Sequence, residues 1–171
     1  MTTTNTVLSL RPVRFAVSYA LLRVAADVAD HWVQTDHQAA TKGQHDHTPG
    51  QSSLAGRRAC AAHVATYTAT QGAVLLAGTR LLGVRLRPGP VVAALAVSAV
   101  THYVADRREP LRLLARAVGI DGFHALGTPA HPAHPVTAGG SYAPTLGTGA
   151  YALDQAWHHA FETYAALIAS A

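Results

Sequence analysis

The stretch "VSAVTHYVADRREP", residues 97–110, joins an apolar run to a histidine and an aspartate. His102 and Asp106 are four residues apart, so on a helix their side chains project from the same face. Because the preceding apolar run is typical of a helix that packs in a core, we expect this pair to point inward. The spacing fits a buried hydrogen-bonded pair, and it fits half of a metal site equally well.

The composition favours one helical domain. The chain has 171 residues, of which 49% are hydrophobic and only 6% aromatic. This length suits a single domain (1–171), and many alanines and valines with few aromatics favour closely packed helices. Cys60 is the single cysteine, so an intrachain disulfide is excluded and a reducing compartment is indicated. Any metal ion would therefore be bound by nitrogen and oxygen.

The net charge of +4 and the pI of about 9.6 leave several partners open. The basic residues lie singly or in pairs with little aromatic interleaving, so nucleic acid is not the expected partner. The first residues, "MTTTNTVLSLRPVRF", lack the pattern of a secretory signal peptide. We predict a cytoplasmic protein that is not secreted, with a small-molecule substrate or a protein as partner and with membrane contact left open.

Hydrophobic periodicity predicts four long helices. These cover about 12–40, 54–82, 90–108 and 149–169. The segment "PLRLLARAVG" (110–119) predicts a short amphipathic helix, with Pro110 in its first turn and Gly119 as its stop. Stretches rich in breaker residues predict flexible loops at about 42–53 and 127–149, the second exposed and mobile. The predicted fold is all-α, with a four-helix bundle-like core, one short extra helix and two long loops.

One predicted helix is a candidate membrane span. Residues 59–79, "ACAAHVATYTATQGAVLLAGT", carry no formal charge and are long enough to cross a bilayer. Charged residues interrupt the first and fourth segments, and basic residues flank nearly every connection without a bias to one side. A compact helical bundle is therefore favoured over a spanning one.

On each predicted helix, residues that could bind a metal ion continue the apolar stripe. The four lines are Val13, Val17, Ala20, Val24, Asp27, His31 and Gln34; Cys60, His63, Tyr67, Thr70, Val74 and Ala77; Val92, Leu95, Ala99, His102 and Asp106; and Asp154, His158, Phe161, Ala165 and Ile168. No lysine or arginine lies on these lines. We therefore expect a metal ion or an imidazolium to neutralise the buried carboxylates.

Four elements carry a resemblance: "ADHWVQTD" (29–36), His63 with Tyr67, "THYVAD" (101–106) and "LDQAWHH" (153–159). They resemble a bacterial family of small helical proteins known as a domain of unknown function, many of them predicted multi-pass membrane proteins. Its members carry a D-x-x-x-Q-[ST]-D element, a lone helical His, an H-x-x-x-D pair and a closing D-Q-x-x-H. The resemblance covers all four long helices and neither long loop.

The resemblance implies by position that the characteristic residues are Asp30, Gln34, Asp36, His63, His102, Asp106, Asp154, Gln155 and His158. The H-x-x-x-D pair is also similar, at the level of the fold, to that of membrane-bound metal-dependent hydrolases. One position departs from the family pattern. Where the family usually has a histidine four residues before its first aspartate, this chain has Ala26, with Asp27 and His31 close by in sequence.

The residues together predict a metal site in the bundle core. Its expected ligands are Asp30, His63, His102, Asp106, Asp154 and His158, and its expected neighbouring donors or alternative ligands are Asp27, His31, Gln34 and Tyr67. A divalent zinc, manganese or iron ion would make a bound water nucleophilic, which predicts a metal-dependent hydrolase of unknown substrate. The alternative is a non-enzymatic helical scaffold or a membrane-associated interaction protein, in which a buried His/Asp network only fixes the helix register.

Three features outside the predicted site have simpler interpretations. Cys60 is expected to be an inert packing residue. Arg107 and Arg108 are expected to form a solvated helix end. The loop cluster His45, Asp46 and His47 and the segment "HPAHP" (131–135) are expected to bind metal adventitiously rather than functionally.

Overall fold

The computed structural model describes residues 10–126 and 148–171. Within this part of the chain the regular structure is helical and no strand occurs, which confirms the all-α prediction. The elements are α1 (Arg11–Val28), a π-helical turn (Ala29–Val33), α2 (Asp36–Thr41), α3 (Ser53–Leu81), α4 (Pro88–Asp106), α5 (Glu109–Ala117), α6 (Asp121–His124) and α7 (Gly149–Ala169). The predicted helices at 54–82, 90–108, 110–119 and 149–169 are thus confirmed as α3, α4, α5 and α7. Gly119 has φ +81 just beyond α5, as expected for a helix stop.

The first predicted helix, 12–40, is wrong as a continuous element. After Val28 the backbone widens into a π turn, in which the Gln34 N–H donates to the Ala29 carbonyl five residues back (3.0 Å). Gln34 then leaves the helical region (ψ 131), and α2 starts afresh at Asp36. Because the π turn and the break change the angular step along the chain, Gln34 does not extend the predicted line.

The segment 42–53 is a loop of turns, as predicted. The Asp46 N–H donates to Ser53 Oγ and the Ser53 N–H donates to Asp46 Oδ1, both at 2.8 Å, so the two ends of the loop are joined. The flexibility of this loop stays a prediction. In the second predicted loop, residues 127–147 lie outside the described residues, and the predicted mobility there is untested.

The described residues fall into two compact units. Within the described residues, unit 1 comprises 10–35, 63–100 and 161–171, and unit 2 comprises 36–62, 101–126 and 148–160. Each of α3, α4 and α7 contributes residues to both units. That the chain folds as a single domain stays a prediction.

Unit 1 has a core of small side chains. Its buried residues come from α1, α3, α4 and α7: Leu22, Leu75, Ala94, Ala165, Ala166 and Ala169. Four helices meet in this cluster, which agrees with the predicted four-helix core. Alanine side chains are short and cover little of the larger apolar residues around them. Phe15, Leu95 and Ile168 therefore pack against the cluster while only partly buried.

The buried face of α1 is not the predicted one. Leu22, Ala25 and Ala26 are buried, whereas Val13 and Val24 of the predicted line are 51% and 59% exposed. Apolar residues lie on nearly every side of α1, so the periodicity does not select one face. The line that was expected to reach the core therefore lies largely on the surface, and with it Asp27 and His31.

Unit 2 is organised around Arg107, for which the predicted solvated position is wrong. Arg107 is only 6% exposed. Its guanidinium donates to the backbone carbonyls of Lys42 and Gln44, and the His45 ring contacts its carbonyl at 2.8 Å. Arg107 thus donates its hydrogen bonds to carbonyls of the α2–α3 loop, whereas the sequence predicted that they would go to water. Arg108, the next residue, is exposed as predicted.

Among the described helices, α4 is the one long and apolar enough to cross a membrane. In its most apolar window 22% of the residues are buried. The sequence had favoured the charge-free stretch of α3 instead, and α3 does not meet this criterion.

Candidate metal centre

Three potential metal ligands meet inside unit 2. Helix α4 presents His102 and Asp106 one turn apart, and α7 contributes His158. All three are buried, and one ligand atom from each lies within 4.8 Å of the other two. The His102 Nε2 is 3.1 Å from Asp106 Oδ2, and the two imidazole rings are 4.4 Å apart between centroids. Two imidazole nitrogens and one carboxylate oxygen are a donor set that suits a divalent zinc, manganese or iron ion.

Asp154 lies beside this cluster on α7. Its Oδ1 is 3.5 Å from His158 Nε2, and 32% of its side-chain surface is exposed to solvent. The Gln155 amide is 3.5 Å from the other carboxylate oxygen. Asp154 is therefore placed to add a fourth oxygen donor or to act on a molecule next to the cluster.

Asp106 already has a positively charged partner. Lys42 Nζ lies 2.7 Å from Asp106 Oδ1, and the lysine side chain is 13% exposed. The expectation that no lysine or arginine neutralises these carboxylates is wrong, because Lys42 follows α2 and lies outside the four helix lines. Burial raises the pKa of Asp106, but the hydrogen bond and charge of His102 together with those of Lys42 outweigh it and lower the pKa to about 2. Asp106 is thus ionised at neutral pH, the state in which a carboxylate binds metal.

Asp30 and His63 form a pair within unit 1. Asp30 lies on the π turn, and its Oδ1 is 3.0 Å from Nε2 of the fully buried His63. The His63 ring in turn lies 6.1 Å from the Tyr67 ring. The sequence named both residues as ligands of one metal site, and the structure places them in contact. That Asp30 and His63 bind the same ion as His102 stays a prediction.

The predicted neighbouring donors on the first helix point elsewhere. Asp27 pairs with Arg23 at 3.0 Å, and the His31 ring bonds to the Asp27 carbonyl at 2.9 Å. Both side chains are exposed, and Gln34, directly after the π turn, is half-buried. Tyr67, in contrast, is buried as predicted.

Sequence reasoning missed a buried polar chain in unit 1. Glu162 is 2% exposed and accepts from Arg23 Nη1 at 3.3 Å, with the Tyr67 hydroxyl at 3.5 Å from its other oxygen. The Gln71 amide donates to the Tyr67 hydroxyl, and Ser98 Oγ donates to Gln71 Oε1. The four-residue spacing of Arg23 and Asp27 was readable in the sequence. The partnership of Arg23 with Glu162 was not, because it depends on how α1 packs against α7.

Cys60 fits its predicted inert role. It is fully buried in unit 2, with its Sγ 3.7 Å from the Tyr103 carbonyl. Burial and the nearby Asp106 charge raise the pKa of the thiol to about 12. The thiolate needed for metal binding or nucleophilic attack is thus strongly disfavoured.

A cavity of about 620 Å³ opens beside the cluster in unit 2. It is lined by three carboxylates, Asp106, Glu109 and Asp154, together with basic, histidine and apolar side chains. The loop histidines His45 and His47 also line it, so they have a defined place beside the cluster. A small molecule in this cavity would reach Asp106 and Asp154 directly.

Comparison of the chain with protein-family models, with curated proteins and with solved structures gives no match.

Proposed function

We propose that this protein is a metal-dependent hydrolase whose divalent ion is bound by His102, Asp106 and His158. The observation that supports it best is that these three buried donors converge within 4.8 Å while Asp106 also lines a cavity. A buried ligand cluster without access would support only a structural ion. Access from a cavity is what a catalytic ion needs, because one coordination position has to remain open to water or substrate.

The chemistry follows from the donor set. When bound, the metal ion would lower the pKa of a water molecule towards neutrality and polarise the substrate. In the hydrolysis the water oxygen forms a bond to the electrophilic carbon or phosphorus, and the bond to the leaving group breaks. Asp154, which is half-exposed and lines the cavity, would take the proton of the water and pass it to the leaving group.

The test is elemental analysis of protein purified without an affinity tag and then supplied with zinc, manganese or iron. We expect stoichiometric metal in the wild type and its loss in His102→Ala. His31→Ala is the matched control, because His31 is exposed and its ring contacts the Asp27 carbonyl, away from the cluster. Metal-dependent cleavage of simple esters and phosphoesters, lost in Asp154→Asn with the metal retained, would support the hydrolase. A wild type that holds no metal after repletion would contradict the proposal.

A second candidate function is a non-enzymatic helical scaffold with a buried polar network, associated with a partner or a membrane. The observation that favours it is that Asp106 and Glu162 both have basic partners without any metal ion. Large exposed apolar side chains, such as Trp32 (85%) and Leu81 (87%), offer it a contact surface. Sedimentation with lipid vesicles, in protein that binds no metal, would support this function over the hydrolase.

A further inference from the structure

We propose that the cavity of unit 2 binds an oxyanion, a phosphate or carboxylate group, and that Arg108 is the residue that binds it. This inference rests on the proposed function, because it names the substrate class of the metal centre. Three features of Arg108 support it: its backbone, the space for its side chain and the pairing of its charge.

The backbone of Arg108 has an unusual conformation. It has φ 58 and ψ −48 at the junction of α4 and α5, and among the described residues it is the one non-glycine with positive φ. Such a conformation is strained for a residue with a Cβ, and it persists only where the surroundings impose it. Glycine would remove this strain, yet an arginine lies here and lines the cavity.

Gly43 provides the space for the Arg108 side chain. A Cβ at position 43 would lie 2.6 Å from Arg108 Cδ and 2.7 Å from its Nε. Any other residue at 43 would therefore displace the arginine. The α2–α3 loop thus carries a glycine where the guanidinium end of Arg108 passes, and Gly43 lines the same cavity.

The charge of Arg108 is available to a ligand. The cavity is lined by three lysine or arginine side chains, and two of them are paired: Lys42 with Asp106 at 2.7 Å and Arg112 with Glu109 at 2.6 Å. Among the described residues Arg108 has no carboxylate partner, and its hydrogen bond to the Ala39 carbonyl is long at 3.5 Å. A guanidinium with open donors can bind two oxygens of a phosphate or carboxylate group at once.

The remaining lining fits a small anionic molecule. His47 and His124 supply further ring nitrogens, while Leu111 and Tyr151 offer apolar surface. The volume of about 620 Å³ falls within the usual range for small-molecule sites. Because Asp106 lines the same cavity, a ligand whose anionic group is bound by Arg108 would present its remainder to the metal centre.

The experiment titrates inorganic phosphate, and acetate in a second arm, into the full chain by calorimetry, both metal-free and manganese-loaded. We expect phosphate or acetate to bind, and the tighter of the two identifies the oxyanion. Arg108→Gln should weaken binding at least tenfold, since a charge-assisted pair is lost. Arg58→Gln is the matched control, because Arg58 is exposed in the same unit and does not line the cavity.

Two further variants separate binding from folding. Gly43→Ala keeps every charge and displaces the Arg108 side chain, so it should also weaken binding, whereas Arg108→Lys keeps the charge without the planar fork and should bind with intermediate affinity. Equal affinity in wild type, Arg108→Gln and Gly43→Ala would overturn the inference and show an adventitious ion only. The absence of binding by the wild type would overturn it as well. Metal content, measured separately by elemental analysis, reports on the proposed metal centre independently of this result.

Discussion

Two carboxylates are buried in the part of the chain that the structure describes, Glu162 in unit 1 and Asp106 in unit 2, and their surroundings differ. Glu162 is approached by Arg23 and by the Tyr67 hydroxyl. From Tyr67 the hydrogen bonds continue through uncharged amide and hydroxyl groups of unit 1. Such a chain satisfies buried polar atoms and fixes how helices pack.

Asp106 is surrounded instead by nitrogen. Lys42 and His102 contact its two oxygens, and His158 completes a group of ligand atoms within 4.8 Å. Asp106 also lines a cavity, although only 5% of its surface is exposed. Since both carboxylates have a basic partner, burial of an acid does not by itself indicate a metal ion. Imidazole donors that converge on the carboxylate beside an accessible cavity form a group that could hold one.

The largest expected effect comes from removing the basic partner of each carboxylate. Lys42→Met leaves Asp106 charged and buried, and should lower the free energy of unfolding by about 3 kcal/mol in metal-free protein. Arg23→Met should cost only about 1 kcal/mol, because Arg23 is a quarter exposed and solvent screens its ion pairs. Urea unfolding without metal measures both values.

Repeating the same unfolding curves with zinc sharpens the difference. Zinc should stabilise Lys42→Met more than the wild type, because the ion no longer competes with the lysine ammonium for Asp106. Zinc should not change the difference in free energy of unfolding between Arg23→Met and the wild type. An equal response of the two variants to zinc would show that the surroundings of Asp106 and Glu162 do not differ in the proposed way.

The second-largest effect is the loss of stability that follows when acid protonates Asp106. Its pKa is lowered from 3.8 to about 2 in the folded protein, so the ionised carboxylate stabilises the fold above pH 4. This contribution, about 2 kcal/mol, should be lost as the pH falls from about 4 to about 2. Asp106→Asn has no carboxylate at this position and cannot lose this contribution. The gap between the free energies of unfolding of wild type and variant, measured with urea on metal-free protein, should therefore narrow by about 2 kcal/mol as the pH falls. A gap independent of pH would contradict the lowered pKa.

The positions of the long helices could be predicted from the sequence, because their apolar runs and breaker residues are local signals. The faces of the helices were harder to predict. On α3 the predicted line is right at Cys60, His63 and Tyr67, and it then drifts to Thr70 and Val74 where the structure buries Gln71 and Leu75. Steps of three and four are both helical, and a chain rich in alanine does not decide between them.

The candidate site was predictable in part for the same reason. His102 with Asp106 and Asp154 with His158 are local pairs, and the structure places both in unit 2. Lys42 could not be predicted, because two loops and two helices separate it from Asp106 along the chain. The role of Arg107 was mistaken for a similar reason, since its partners are backbone carbonyls, which carry no signal in the sequence.

Two glycines of α3, one in each unit, differ in how tightly their surroundings are packed. Gly56 lies in unit 2 and is buried, and a Cβ there would meet the Arg107 guanidinium and the Gln44 carbonyl. Neither can move freely, because they are hydrogen-bonded to each other. Gly56→Ala should therefore destabilise the protein by about 2 kcal/mol, as overpacking of a close contact does. A melting temperature equal to that of the wild type would show that the loop around Arg107 yields without cost.

The smallest effect, with the opposite sign, is expected at Gly72 in unit 1. Among the described residues, a Cβ at this position would lie 3.6 Å from Leu95 Cδ1, which is an ordinary van der Waals contact. Alanine loses less backbone entropy on folding than glycine in the interior of a helix, so Gly72→Ala should stabilise the protein by roughly 0.5 to 1 kcal/mol. Urea unfolding of the Gly56→Ala and Gly72→Ala variants compares the same substitution in the same helix. Destabilisation by both would show that α3 is packed as tightly in unit 1 as it is around Arg107 in unit 2, and that the small-residue core of unit 1 has no room for a methyl group.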